Sequence, residues 1–361
     1  MKVSSLTSVA LSLTASVEAS YINYTTVTGY FLQDEATTDP STFDFTATNF
    51  GLINRTYPND KKNSNLTQWE RFHHQVVDLN RRSPPNVDYK VLFLGRHGEG
   101  WHNAAEDYYG TPAWNCYWSL LDGNSTTTWR DADLTNAGIK QARIAHNFWQ
   151  KELDSQHIHP PDSYFVSPLT RTLRTANLTF SGLRLPYRSA PFRPLIKEYF
   201  REGISLHTCD QRHNRTYIHS LFPTWPVERG FTETDELWNG VTAETSTAQD
   251  FRSKAALDSI FKANGTGLFV SVTSHSGEIG SILRVIKHRT FKLNTGAVIP
   301  VLVRAETVPD VRTTTKPSWT VSAHCTAPPV TSVQSCICPS TAIPVTTPLV
   351  PVSLGDVTSR Y

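Results

Sequence analysis

Three short segments place arginine or histidine beside small residues: Arg96-His97-Gly98, Ser167-Pro168-Leu169-Thr170-Arg171 and Ser274-His275-Ser276-Gly277. Two arginines and two histidines suit a phosphate, because guanidinium forks match its oxygens bidentately and helix N-termini add backbone donors. Arg96 and Arg171 are the candidate clamps. A neutral His97 has a ring nitrogen that attacks phosphorus, and Gly98 next to it leaves room for the phosphoryl group. His275 is suited to hydrogen-bond the group in transit and spread its transition-state charge. A leaving alkoxide needs a proton, and the acidic pair Glu198 and Glu202 supplies two candidate donors. The attacking histidine needs no metal, so no cofactor is expected. His207, Cys209 and His213 are zinc-type donors, but a fourth ligand is not evident and no metal site is assigned there. The glycines at 95, 98 and 100 have the wrong spacing for a dinucleotide loop.

The elements around these segments alternate. Residues 89–95 (YKVLFLG), 163–167 (SYFVS), 267–274 (GLFVSVTS) and 297–304 (AVIPVLVR) are short apolar runs that read as buried strands. Between them, Asp133, Leu134 and Thr135 offer caps to a helix in which Ile139, Ala142, Ile144, Ala145 and Phe148 recur at helical spacing. Pro168 opens a second helix through Leu173, Ala176 and Phe180, and residues 245–263 and 277–288 read as two more. This order predicts a mainly parallel sheet with helices on both faces, a three-layer α/β/α sandwich. In such sheets chemistry collects at the loops leaving the C-terminal strand ends, which is where the three segments fall. The stretch from Trp101 to Asp131 reads as an aromatic-rich loop that selects substrate together with the segment around His207 to Trp225.

Lys+Arg number 34 against 32 Asp+Glu, with no long charged block, which gives no electrostatic footprint for nucleic acid. No apolar run approaches the ~18 residues of a membrane span. Lys2, the apolar positions that follow and Val17-Glu18-Ala19 pattern residues 1–19 as a signal peptide, with a disordered N-terminus as the alternative. Seven N-x-S/T sequons stand where composition gives about four by chance. Secretion is therefore expected, with a cytoplasmic location as the alternative. From residue 305 onward 57 residues hold 8 Pro and 18 Ser/Thr, and 306–361 reads as a disordered tail behind a single domain over 20–305. Of five cysteines, Cys116 and Cys209 read as small buried hydrophobes, and the pairing of Cys325, Cys336 and Cys338 is left open.

The motifs resemble those of the histidine phosphatase superfamily, in the branch that includes phosphoglycerate mutases. Arg96-His97-Gly98-Glu99-Gly100-Trp101-His102-Asn103 is similar to that branch's nucleophile motif with its asparagine. Leu134-Thr135-x-x-Gly138-x-x-Gln141-Ala142 resembles the helix start that follows, Ser167 to Ala176 the second arginine motif, and Thr273 to Gly277 the second histidine motif. The stretch from Arg201 to Arg212, with Glu202 and Leu206-His207-Thr208-Cys209-Asp210, is most similar to fungal and plant phosphoglycerate-mutase-like phosphatases. Gly29 to Gln33 and Phe50 to Ile53 resemble the N-terminal extension of the fungal members. The chain departs from the relatives at Ser205, where glycine is usual, and phytases are disfavoured because RHGxRxP and a His-Asp pair are missing.

The resemblance implies a phosphoglycerate-mutase-like fold and hydrolysis of a small-molecule phosphomonoester through phosphohistidine. His97 is then the nucleophile and Glu202 the acid, with Glu198 as the alternative. Arg96, Arg171, His275, Asn103 and Gly98 bind phosphate. His102 is read as a loop residue facing water and Arg174 as a helix-face ion-pair partner. A phosphomutase and a catalytically silent phosphate-binding module are the two alternative functions.

Overall fold

The apolar run at 89–95 lies in the middle of a six-stranded sheet. The computed structural model describes residues 20–61, 65–309, 318–321, 324–330 and 337–339. In chain order the strands are β1 (Ser20–Thr26), β2 (Val87–Arg96), β3 (Ser163–Val166), β4 (Leu195–Ile196), β5 (Thr242–Glu244), β6 (Phe269–Ser274), β7 (Val298–Pro309) and β8 (Trp319–Val321). The helices are α1 (Gln68–Arg82), α2 (Trp101–Tyr109), α3 (Thr111–Cys116), α4 (Asn136–Ser155), α5 (Thr170–Phe180), α6 (Arg215–Leu221), α7 (Ser246–Phe261) and α8 (Ser276–Val285).

The main sheet has the order β1-β7-β2-β6-β3-β4. Its β2–β6, β6–β3 and β3–β4 pairs are parallel, while β7 is antiparallel to both β2 and β1. The reversal has a local cause. After α8 the chain climbs back to the edge bearing His97, where the Gly296 N–H donates to the His97 carbonyl (2.9 Å), so β7 enters the sheet from that edge. The mainly parallel α/β sandwich expected from the sequence is the observed architecture.

Aromatic residues fix one layer. The Phe93 ring lies 4.9 Å from Trp149 of α4 and 5.9 Å from Trp69 of α1, and all three side chains are fully buried. Thr135 caps α4 as expected, its hydroxyl accepting from the Gly138 N–H at 3.1 Å. On α7 and α8 the Ser253 and Ser281 hydroxyls meet at 2.7 Å, and small side chains at such contacts let helices approach closely. The N-terminal extension is part of the core: Phe31 and Phe50 are fully buried, and Gln33 bridges the carbonyls of Phe50 (3.3 Å) and Pro300 (2.8 Å).

Three expectations are corrected. The aromatic-rich stretch after Trp101 is not a plain loop but carries α2 and α3. Regular structure extends past residue 306, where a tail was expected to start: β7 runs on to Pro309, and β8 pairs with β5 as a two-stranded ribbon. Cys116 is disulfide-bonded rather than a free apolar side chain, and a second disulfide joins Cys325 to Cys338. The Cys325 N–H donates to the Cys116 carbonyl at 3.1 Å, which holds that part of the tail against α3. Only Cys209 is buried and free among the described residues. No described helix is long and apolar enough to cross a membrane, and the expected leader at 1–19 lies outside the described residues.

Candidate active site

Strand register brings the three motif segments together. Arg96 pairs with Ser274 across β2 and β6, and Val166 pairs with Thr273 across β3 and β6, so all three strands end at one level. The residues that follow, His97, His275 and Ser167, therefore share one edge. The His97 N–H donates to the Ser274 carbonyl (3.0 Å) and the Ser167 N–H to the Thr273 carbonyl (3.1 Å), which carries the register one step past the strands.

His97 is 1% exposed. Its Nδ1 lies 2.7 Å from the Gly98 carbonyl, which only accepts, so Nδ1 carries the hydrogen. The neutral ring then has its lone pair on Nε2. Burial, reinforced by Arg171 and then Arg96, holds the His97 pKa well below the usual histidine value. The ring is thus unprotonated at neutral pH, which a nucleophile requires.

His275 lies 5.1 Å from His97, ring centre to ring centre. Arg171 Nε donates to its Nδ1 at 3.3 Å, so its proton sits on Nε2, 2.7 Å from the Ser167 hydroxyl. Burial first, and Arg171 next, keep it neutral as well. Arg171 is 1% exposed and donates from Nη1 to the Cys209 carbonyl (2.7 Å), while Nη2 faces Asp210 Oδ1 at 3.8 Å. Arg96 donates from Nη1 to the Leu293 carbonyl (2.8 Å), and its buried Nε has no partner.

Glu202 stands at the start of α8, directly after His275. Its carboxylate accepts from the backbone N–H groups of Gly277 (3.1 Å), Glu278 (3.0 Å) and Gly203 (2.9 Å). A Cβ on residue 277 would lie 2.3 Å from Glu202 Oε1, which accounts for the glycine there. Glu198, the alternative donor, is engaged elsewhere. Arg201 Nη1 donates to it at 2.9 Å and Arg212 Nε to both its oxygens at 3.0 and 2.9 Å, so it belongs to a buried ion network with Asp235.

Two expected phosphate contacts have other tasks in the structure. The Gly98 N–H donates to Thr175 Oγ1 (3.0 Å), and a Cβ at 98 would lie 2.4 Å from the Gly138 carbonyl. Its glycine is demanded by the close approach of α4 rather than by a ligand. Asn103 gives its side-chain oxygen to the Gly100 N–H (3.0 Å) at the first turn of α2. Arg174, read as a helix-face partner, lies 3.4 Å from Asp133 with both side chains nearly half exposed.

His102 is half-buried, with its ring turned toward His97 rather than to water alone. Its ring centre lies 5.3 Å from that of His97, its Nδ1 is buried without a partner, and burial followed by Arg171 lowers its pKa well below the usual value. Its place as the second residue of α2 was hidden because the α2 segment was read as a loop. Asp131 was also missed. It accepts from the Thr170 N–H (2.7 Å) and hydroxyl (3.1 Å) at the start of α5, and from His213 Nδ1 (2.6 Å), which places His213 with Asp131 rather than in the donor group around His207. Burial raises the Asp131 pKa, but the His213 charge and these hydrogen bonds outweigh it and the net shift is downward. Donor atoms of His207, Cys209 and Asp210 lie within 4.8 Å of one another, with Arg171 beside them as the cation facing Asp210.

Residues 92–296 match the model of the histidine phosphatase superfamily (branch 1). A protein of Arthroderma benhamiae named probable phosphoglycerate mutase is 50% identical over 292 residues, covering 80% of this chain and 86% of that one. Phosphomutase-like protein 3 of Candida albicans is 37% identical over 283 residues, covering 78% and 80%. A probable phosphoglycerate mutase of Saccharomyces cerevisiae is 32% identical over 255 residues, covering 66% and 85%.

Proposed function

The chain belongs to branch 1 of the histidine phosphatase superfamily, and on that premise we propose that it hydrolyses a small-molecule phosphomonoester through a phosphohistidine. The observation that carries this reading is the His97 ring. Its Nδ1–H is fixed on the Gly98 carbonyl, its Nε2 is left with the lone pair, and Arg171 and His275 stand beside it.

In the first step the bond from His97 Nε2 to phosphorus forms as the bond to the ester oxygen breaks. The electron pair leaves with that oxygen, which takes a proton from Glu202. Arg96 and Arg171 hold the non-bridging oxygens, and His275 exchanges its Ser167 bond for one of them. Water then attacks the phosphohistidine and gives its proton back to Glu202, releasing phosphate and neutral His97. No step calls for a metal.

Phosphate release from an aryl phosphate with a chelator present tests the reading, wild type beside His97→Ala. The wild type should release phosphate and form an acid-labile phosphoprotein, and the substitution should lower turnover by at least about 10³-fold. Full activity in His97→Ala would overturn it. The names of the fungal relatives favour a second reading, a phosphomutase. That activity would move phosphate between substrate positions with little release, so the same assay separates the two.

We also propose passage through the secretory pathway. Two disulfide-bonded sites, at Cys116 and between Cys325 and Cys338, suit an oxidising compartment. Recovery of the native protein in the culture medium with an N-terminus beyond residue 19 is the expected result, and an intact N-terminus on cytosolic protein would refute it.

A further inference from the structure

The loop that carries Glu202 leaves a single 3-10 turn (Glu198–Phe200) and is fastened from behind by one side chain. Arg252 on α7 is 7% exposed and uses its whole guanidinium fork. Nη1 donates to the carbonyls of Tyr199 (2.8 Å) and Arg201 (3.0 Å), and Nη2 to that of Glu202 itself (3.0 Å). Nε and Nη2 also grip the two carboxylate oxygens of Glu244 at 2.8 Å each. Glu244 extends the clamp, accepting from the Ile204 N–H at 3.0 Å, while its own N–H donates to the Ile204 carbonyl at 2.8 Å. A third acid closes the arrangement: Glu278 Oε2 lies 3.3 Å from Arg252 Nη1, and the Glu278 backbone N–H donates to Glu202 Oε1.

The backbone of residue 202 is thus pinned to α7 and its carboxylate to α8. A proton donor works only within hydrogen-bond reach of the leaving oxygen, and a displacement of about 1 Å can cost on the order of 10²-fold. The fork geometry matters, since five rigid donors reach three carbonyls and one carboxylate, whereas a lysine ammonium presents three donors from a single point.

We infer that Arg252 is a positioning residue of the reaction: by gripping the backbone of loop 199–204 it sets where the Glu202 carboxyl stands against the leaving oxygen. This rests on the reading of Glu202 as the proton donor. Arg252 touches no substrate and acts through the loop alone. Glu244 is its anchor, and Glu278 joins the clamp to the helix that holds the other side of Glu202.

The test is the dependence on the leaving group. A nitrophenolate departs without a proton, whereas an aliphatic alkoxide needs one, so loss of the acid is felt mainly on the aliphatic ester. The kcat/KM values, which report transfer to His97 and not the hydrolysis step that both esters share, are compared for wild type, Glu202→Gln and Arg252→Lys on p-nitrophenyl phosphate and on an aliphatic phosphomonoester that the wild type turns over. Glu202→Gln should lose about 10²-fold on the aliphatic ester and far less on the aryl one. Arg252→Lys should follow the same pattern at about 10-fold, with thermal unfolding showing a folded protein. Glu244→Gln, a milder loosening of the same clamp, is read the same way if Arg252→Lys does not fold. Equal losses on both esters in the clamp variants, with Glu202→Gln selective, would make Arg252 a purely structural residue and overturn the inference. An unselective Glu202→Gln would refute the proton-donor role itself, and the positioning role with it.

Discussion

At the C-terminal edge of the main sheet His97, His102 and His275 are packed around Arg171, with ring centres of His97 5.1 and 5.3 Å from the other two. At the opposite edge His73, His74, His157 and His159 line a cavity of about 470 Å³ with Glu70 and Asp162. There the His73 and His159 rings stack at 4.5 Å, His157 lies 3.2 Å from Glu70, and His159 lies 3.9 Å from Asp162. A cavity and a cluster of four histidines thus stand at the edge without the motifs. The difference lies in the neighbours. At the edge bearing His97 the Gly98 carbonyl fixes the proton of the His97 ring and Arg171 that of His275, and burial with Arg171 keeps both rings neutral, leaving His97 a defined lone pair. At the far edge the groups nearest His157 and His159 are carboxylates, Glu70 and Asp162.

The largest effect that should divide the two edges comes from Arg171→Ala. It removes the guanidinium beside His275 and leaves Asp210 buried without its cation, so kcat/KM should fall on the order of 10²–10³-fold. His159→Ala at the far edge should leave kcat/KM at the wild-type level, and a comparable loss there would erase the distinction. Next is Gly138→Ala, whose added Cβ would lie 2.1 Å from the Glu99 carbonyl. Forcing α4 away from the nucleophile loop should cost about 1–3 kcal/mol, seen as a lower Tm together with reduced turnover.

The smallest effect is His73→Phe, which sharpens the comparison through pH. Burial first, then His159 and His74, lower the His73 pKa to about 4, with Asp162 opposing. The unfolded chain therefore binds a proton that the folded protein refuses between about pH 6.5 and 4. The His73 contribution to stability is fully present above pH 6.5 and is lost as pH falls through that window. Denaturant unfolding at pH 7.5 and 4.5 should show a smaller acid loss in His73→Phe, with activity at neutral pH unchanged. The acid loss that persists belongs in part to the catalytic-edge rings, which have the same sign.

Much of this site was legible because chemistry in a parallel sheet gathers at strand ends, so three local segments sufficed to name His97, Arg171 and His275. Apolar runs marked four strands, although β7 continues five residues past its run and β1, β4, β5 and β8 had no such mark, and Thr135 marked the start of α4. What escaped depends on partners distant in sequence. Glu198 and Glu202 are both acids in one loop, and only Arg212 on one and the α8 backbone on the other separate them. Asp131 gains its role from residues 39 and 82 positions away, and Arg252 from carbonyls about 50 positions away. The segment after β7 misled because its composition resembles disorder, while the three-residue strand β8, the Cys325–Cys338 disulfide and the Cys325 N–H on the Cys116 carbonyl need no apolar run.

The sheet order also governs how the protein comes into being. The central strand β2 has both neighbours, β6 and β7, in the last third of the chain, and Ser167 meets His275 across 108 residues. A chain emerging from the ribosome presents His97 long before the strands that flank β2 exist. Pairing so remote in sequence makes for slow folding and prolonged exposure of the apolar β2 run. The strands around His97 are all in place only after Pro309 has emerged, so a fragment ending before Phe269 would carry His97 without β6, β7 or His275 beside it, and the edge that gathers the three motif segments is assembled late in translation.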